Sequence, residues 1–356
     1  MKKALFSIFS LIFSLGLMAQ EVVPVIQSGH SGSIMYVEWD KTGQYIASVD
    51  DKNEIVMYDI IAGKVFFRTK FTGYGLVNGM QFTDDGKLLA GNSHLTICFD
   101  PKTLQTTKSD VSVSPKSMAR NIKLRNSSVR RVGSGTLCNR NAYVKFTYAA
   151  ESSDGRHFVA GDENGGLYFC DKSLMLKEYK QVHNMHINDI SFSKEGNLVA
   201  VASADRSVSV WRLDNYKMEK RFVPRSFNIS AIASCKENNC FAFGDELGYA
   251  YKITYAQDKW IVDAVDAHDG KINDLQFSAN SNVIVTAGSD NSVAVVDFEN
   301  KVVLEKLKAQ NSVGKISKVF DVKSIQNQAL KGNDSKNDTY YDNVYSVAFS
   351  PDGKYI

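Results

Sequence analysis

Residues 190–211 read ISFSKEGNLVAVASADRSVSVW. Apolar residues alternate at Ile190 and Phe192, a Ser-Lys-Glu-Gly turn follows, and an almost unbroken apolar run extends from Leu198 to Ala202. After Asp205, valines alternate with serines up to Trp211. Period-two alternation interrupted by glycine- and aspartate-bearing turns is the pattern of short antiparallel strands. The continuous apolar run marks a strand buried on both faces.

The same unit recurs along the chain. VEWDKTGQYIASVDD (37–51), MQFTDDGKLLAGNS (80–93), LQFSANSNVIVTAGSD (275–290) and VAFSPDGKYI (347–356) share its turn and flanking runs. The turn falls at Gly43, Gly86, Gly155, Gly196, near Asn239, at Ser281 and at Gly353, an interval of about 40 to 45 residues with two longer gaps. A third strand follows in EIVMYDI (54–60), GLYFCD (166–171) and SVAVVDF (292–298), and a fourth in KVFFRTK (64–70) and KVVLEKLKA (301–309). Helical periodicity is scarce. Four short strands per unit predict an all-β propeller over residues 20–356, with six complete four-stranded blades and an incomplete seventh. The long gaps are read as insertions at about 111–142 and 309–342.

The units resemble the WD-repeat (WD40) family. SGHSGSI (28–34), QVHNMHIND (181–189) and DAHDGKIND (266–274) occupy its Gly-His position, FSPDG (349–353) is its usual first turn, and SADRSVSVW (203–211) resembles its Asp-to-Trp stretch. The resemblance implies that a histidine, a hydroxyl residue, an aspartate and a tryptophan lock each blade. Carried over, it assigns His183, Asp205 and Trp211 in one unit, with Val201 at the hydroxyl position. It assigns His268, Thr286 and Asp290 in another, with Val296 in place of the tryptophan. In the first unit it assigns His30, Ser48 and Asp51, with Tyr58 at the aromatic position. It further implies a partner-docking ring four residues before each FS phenylalanine: Met35, Asn78, Phe146, Asn188, Ser230, Asn273 and Tyr345. These groups suit hydrogen bonding and apolar contact with a protein or peptide rather than acid/base chemistry.

The first nineteen residues, MKKALFSIFSLIFSLGLMA, pair Lys2 and Lys3 with an apolar stretch too short to span a bilayer and predict a cleaved signal peptide. An exported chain, periplasmic, cell-surface or extracellular, is therefore expected, with no transmembrane segment after the signal is removed. The full chain of 356 residues is 44% hydrophobic, as a globular sequence is, with a formal charge of +3, too mild to imply a nucleic-acid partner. The charge is locally uneven. Lys116, Arg120, Lys123, Arg125, Arg130, Arg131, Arg140 and Lys145 meet no acidic residue between 111 and 150, which suits contact with an anionic surface or acidic partner. Five cysteines exclude a dense disulfide scaffold. Cys235 and Cys240 flank a hairpin turn, where a disulfide would stabilise by about 2 kcal/mol.

Catalytic motifs are missing. There is no G-x-S-x-G, no phosphate-binding glycine loop and no C-x-x-C, and His183-x-x-His186 lacks a third ligand. No cofactor or metal is expected. The acidic loop with Asp334, Asn337, Asp338 and Asp342 lacks calcium-loop spacing. The sequence thus reads as a non-catalytic protein-interaction scaffold. Two alternatives are a sensor propeller for a downstream effector, such as a caspase-like peptidase, and a small-ligand or metal site at the propeller's centre. In a closed ring, a first strand around Val22 to Gln27 would complete the last blade. The chain given ends inside that blade, so an open ring is expected, with about 25 residues past Ile356 needed to finish it.

Overall fold

The computed structural model describes residues 30–92, 94–110, 144–225, 227–235, 239–278, 282–308, 344–351 and 356. The expected signal peptide, the strand at Val22 to Gln27, both insertions with their basic and acidic loops, and residues 352–355 lie outside the described residues.

Six four-stranded sheets follow one another, each in simple up-and-down order. Blade 1 spans Ile34 to Lys70, blade 2 Gly79 to Ser109, blade 3 Phe146 to Gln181, blade 4 Ile187 to Phe222, blade 5 Ile229 to Asp266 and blade 6 Ile272 to Lys308. Together they make an all-β propeller. Burial follows strand position within each blade. The second strands of blades 4, 5 and 6 are buried at every residue, as their runs LVAVAS, CFAFGD and VIVTAG require. Outer strands alternate, as in LKEYKQ of blade 3, with every second side chain exposed.

The core lies between blades rather than within them. Val49 and Met57 of blade 1 pack with Leu88 and Phe99 of blade 2, and Phe169 of blade 3 with Val199 and Trp211 of blade 4. Phe222 of blade 4 meets Phe241 and Phe243 of blade 5. Ala242 of blade 5 meets Ile272, Ile284 and Val296 of blade 6. Small residues in the second strands allow this close face-to-face stacking.

No seventh sheet is present among the described residues. Residues 344–351 nevertheless bear on the expectation of an open ring. Val347 and Phe349 pack on Val285 and Val295 of blade 6, while Ala348 packs on Trp39 and Ile46 of blade 1. The segment is therefore a wedge that joins blade 6 to blade 1, in apolar contact on both sides. Burying Val347 and Phe349 removes apolar surface that an open edge would leave in water.

One backbone requirement ties each blade to the next. The turn between second and third strands of blade 5 holds Gly248 at φ +96, and its carbonyl accepts the N–H groups of Ala267 and His268 at 3.0 and 3.1 Å. A Cβ there would sit 2.0 Å from the His268 carbonyl oxygen. Gly86 has a similar φ of +81 but nothing within 4 Å of such a Cβ. Gly86→Ala should cost about 1 kcal/mol from backbone strain alone. Gly248→Ala should cost about 3 kcal/mol or more, because the lead-in to blade 6 must also move. Urea unfolding of the two variants checks the difference.

Candidate functional site

Each sheet runs its inner strand away from the end where the preceding loop leads in, so the second-to-third-strand turn returns to that same end. Here the histidines sit. In blade 4, His183 Nδ1 bonds Asp205 Oδ2 at 2.9 Å, its Nε2 meets Ser209 Oγ at 2.8 Å, and Trp211 Nε1–H donates to Ser209 Oγ at 2.9 Å. The hydroxyl therefore comes from the third strand, not from the second-strand position of Val201. With both ring nitrogens engaged, the His183-x-x-His186 spacing has no ligand to offer at His183. In blade 6, His268 Nδ1 bonds Asp290 at 2.9 Å and Ser292 at 2.9 Å, and Nε2 meets Thr286 Oγ1 at 2.8 Å.

Blade 1 differs from its sequence reading. His30 Nε2 meets Ser48 Oγ at 2.7 Å, but the carboxylate facing the ring is that of Asp50, 3.3 Å from Nδ1, and not that of Asp51. Asp51 turns outward and accepts the Ser33 N–H at 3.0 Å. The reason is local: Asp50 Oδ1 already accepts the N–H groups of Lys52 and Glu54 at 2.9 and 2.8 Å, which aims its second oxygen inward.

Blades 3 and 5 have no histidine at this position. Asp162 and Asp245 accept the turn N–H groups as Asp50 does, Asp162 from Asn164 and Gly166 and Asp245 from Leu247 and Tyr249. Their free oxygens accept from Tyr168 and Tyr251 hydroxyls at 3.2 and 3.0 Å. Tyr168 and Tyr251 stand at the third-strand register position that Ser209 fills in blade 4. A tyrosine thus spans the space that histidine and serine fill elsewhere. The alternation of Asp with Tyr six residues later was visible in the sequence and was the missed signal.

The expected docking ring is largely occupied by the fold. Inner strands of blades 1, 4, 5 and 6 carry a register shift at the ring position, and a bulge re-aims a side chain. Asn188 Nδ2–H donates to the Ile229 carbonyl of the next blade, and Asn273 Nδ2–H to the Val344 carbonyl, both at 2.7 Å. Ser230 Oγ–H donates to the Ile272 carbonyl at 2.5 Å. These three side chains staple neighbouring blades and are not available to a partner. In blade 3 the bulge falls at Thr147, whose hydroxyl donates to Gly161 O at 3.3 Å, so Phe146 is one residue out of register. Phe146 instead stacks edge-on against Tyr168. Met35, Asn78 and Tyr345 hold the remaining positions, each only partly covered.

Beside the staples stand two acids. Asp189 Oδ2 accepts the Ile232 N–H at 2.8 Å, and Asp274 Oδ2 the Val347 N–H at 3.1 Å, three residues beyond the carbonyl each neighbouring asparagine reaches. Burial pushes the Asp189 carboxyl up to about 7, although its backbone and Tyr148 hydrogen bonds pull the other way. Asp274 is raised by burial too.

Cys235 and Cys240 are two buried thiols and not a bridge. The Cys235 N–H donates to the Cys240 carbonyl at 3.1 Å. Facing residues in such a hydrogen-bonded pair hold their side chains farther apart than a disulfide prefers. Contact with Cys235 and then burial push the Cys240 thiol far up. Of the expected basic patch, only Lys145 is described, and it pairs with Glu163 at 3.3 Å. Arg120, Lys123, Arg125, Arg130 and Arg131 lie outside the described residues.

Comparison with known proteins follows this geometry. Residues 149–315 match a family model described as Vps42 beta-propeller, and residues 22–59 match the model described as WD domain, G-beta repeat. The chain is similar to WD repeat-containing protein SL1-17 of Schistosoma mansoni, 25% identical over 184 residues, which cover 51% of this chain and 52% of that protein. It is also similar to WD repeat, SAM and U-box domain-containing protein 1 of Danio rerio, 31% identical over 34% of this chain and 25% of that one. Eukaryotic translation initiation factor 3 subunit I of Candida glabrata is 22% identical over 42% of this chain and 48% of its own. The match spans about half or less of each relative's length.

Two outcomes test this account. Asp50→Ala should cost about 2 to 3 kcal/mol, since it strands three buried N–H groups, whereas Asp51→Ala should stay below about 1 kcal/mol; chemical denaturation separates them. For Asp189, the folded chain keeps a proton that the unfolded chain releases near pH 4. Its contribution to stability is full below about pH 4 and is lost as pH rises through 7. Relative to Asp189→Asn, the wild type should lose about 2 to 4 kcal/mol across that interval. Parallel melting curves would miss this loss only if the carboxylate ionised freely in the fold.

Proposed function

The chain belongs to the WD40-repeat β-propeller family, and from that premise we propose that it is an exported, non-catalytic scaffold that docks a protein partner on the lead-in end of the propeller. WD40 propellers commonly bind proteins and are generally non-catalytic. The observation that carries the choice of face is an asymmetry in exposed apolar side chains. Tyr74 and Leu76 lead into blade 2, Met185 into blade 4, Val223 and Phe227 into blade 5, and Leu247 caps the blade 5 turn, all exposed. Loop residues at the opposite end are mainly polar, with Ile61 and Leu104 the large apolar exceptions among the described residues. Exposed apolar groups gathered on one face mark an interaction surface.

Docking by these loops replaces docking by the inner ring, whose Asn188, Ser230 and Asn273 are spent on the fold. Export is supported by the basic start and short apolar stretch of residues 1–19. The loops and the signal are tested together. The protein is recovered from the secreted fraction with its amino terminus sequenced, expected at Gln20, and used to capture partners from that same fraction. A Tyr74→Ser, Leu76→Ser, Phe227→Ser variant should keep the wild-type melting temperature and lose the captured partner. Undiminished capture would remove this face from consideration, and a chain found only inside the cell with Met1 retained would remove export.

A further inference from the structure

Blade 1 carries a departure from its sister blades that their function as locks does not explain. In blades 4 and 6 the histidine Nδ1 has two partners each: Asp205 and Ser207 around His183, Asp290 and Ser292 around His268. His30 Nδ1 has none, although its side chain is 1% exposed. By strand register, Glu54 stands where Ser207 and Ser292 stand, one residue before Ile55, Val208 and Val293. Lys52 stands where Asp205 and Asp290 stand, and its ammonium turns away to the Ser31 carbonyl at 2.6 Å. A serine donor and one acid have been exchanged for two acids.

Charge makes the exchange consequential. An outer-strand cation answers the acid in each histidine blade: Arg221 lies 3.6 Å from Asp205, Lys306 2.9 Å from Asp290, and Arg68 3.1 Å from Glu54 Oε1. Blades 4 and 6 therefore balance one acid with one base. Blade 1 has Asp50 and Glu54 against Arg68 alone, and the buried imidazole nitrogen facing them makes no well-directed hydrogen bond, with Asp50 Oδ2 3.3 Å away. Buried negative charge without a counter-charge is costly.

Three potential ligand atoms converge here, of which Asp50 Oδ2 also accepts the Gly32 N–H at 3.0 Å. Asp50 Oδ2 lies 3.3 Å and Glu54 Oε2 4.0 Å from His30 Nδ1, and all three ligand atoms fall within 4.8 Å of one another. Ligand atoms around a tetrahedral cation with bonds of about 2.0 to 2.1 Å stand about 3.4 Å apart. The His30–Asp50 edge already has that spacing, and the partly exposed Glu54 carboxylate reaches it by swinging inward at most about 1.5 Å. The outer contacts also suit ligation. Ser48 holds His30 Nε2, leaving the Nδ1 lone pair to face the carboxylates, and the N–H groups of Lys52 and Glu54 fix Asp50 through Oδ1, so that Oδ2 is aimed inward. Metal-bound histidines and carboxylates are normally held in this way by their second atoms.

We propose that His30 Nδ1, Asp50 Oδ2 and Glu54 Oε2 bind one first-row divalent cation, zinc foremost, at the second-to-third-strand turn of blade 1. One imidazole and two carboxylates suit zinc, manganese, cobalt or iron, while the nitrogen ligand disfavours calcium. The cation supplies the missing positive charge and clamps the chain ahead of the first inner strand onto blade 1. The site is independent of the docking face proposed above.

The test uses the untagged chain, stripped with chelator and titrated with zinc chloride against a competing chromophoric chelator. One zinc per chain should bind, and X-ray absorption at the zinc edge should show one nitrogen and two oxygen ligands from the protein. Glu54→Ser writes into blade 1 the serine of blades 4 and 6. It should keep the metal-free melting temperature and weaken zinc binding at least about tenfold. Zinc uptake that is absent in the wild type, or equal in the wild type and Glu54→Ser, would overturn the proposal. Should Glu54→Ser unfold, Glu54→Gln keeps the volume and hydrogen bonding of the glutamate while removing its charge, and the same comparison decides.

Discussion

The turn between the second and third strands of each blade must present its N–H groups to something other than water, because the following blade's lead-in loop presses upon it. An unmet buried N–H costs about as much as a whole hydrogen bond contributes. Four blades answer with one side-chain oxygen at the end of the second strand: Asp50, Asn92, Asp162 and Asp245 each accept two turn N–H groups. Blade 4 divides the task between Ser203, which accepts from Asp205, and Asp205, which accepts from Ser207. Everything at the lead-in end of the propeller is oriented from these acceptors.

Once an aspartate holds the turn with one oxygen, its second oxygen points into the blade and needs a partner there. Tyr168 and Tyr251 supply a hydroxyl from the third strand, whereas blades 4 and 6 move the acid outward and place a histidine in the space. In those histidine blades the hydrogen bonds from His268, Ser292 and Lys306 outweigh burial and hold Asp290 well below the usual carboxylate range, as His183 and Ser207 do for Asp205. Blade 1 mixes both plans, with the inward acid of the tyrosine blades and the histidine of the others. The resulting crowd of like charge is what makes its turn chemically distinct.

Strand number and order were legible in the sequence because period-two alternation survives in every unit and the recurring turn in all, with glycine in most and Asn239 or Ser281 in two. The locking residues were legible only where the family pattern is intact, as at His268, Thr286 and Asp290. They were misread where one residue of register matters. Asp51 and Asp50 are adjacent and chemically alike, and only the N–H groups of Lys52 and Glu54 decide between them. Phe146 was displaced by one from Thr147 for the same reason: a bulge shifts facing without changing the apolar pattern that reveals the strand. Sequence reading took the segment at 344–351 for the start of an incomplete seventh blade, but its simultaneous packing on blade 6 and blade 1 joins parts separated by most of the chain and needed the structure.

The staples explain why docking is proposed at the loops rather than at the inner ring. A propeller stacks sheets face to face, so its inner strands approach one another without ladder hydrogen bonds between blades. Asn188 and Asn273 donate to the next blade's backbone, and Asp189 and Asp274 accept from it three residues farther on, which pins both angle and spacing. Removing such a group from water is repaid only when its partner is fixed, so these residues answer to the fold before any ligand. The loops at the same end are tied down through their backbone, Tyr74 O by Asn92 and Met185 O by Ser203, which leaves their side chains unengaged by the staples. Tyr74, Leu76 and Met185 stand in water on a framework that the staples have already made rigid, and a partner meeting them there loses little freedom in the scaffold itself.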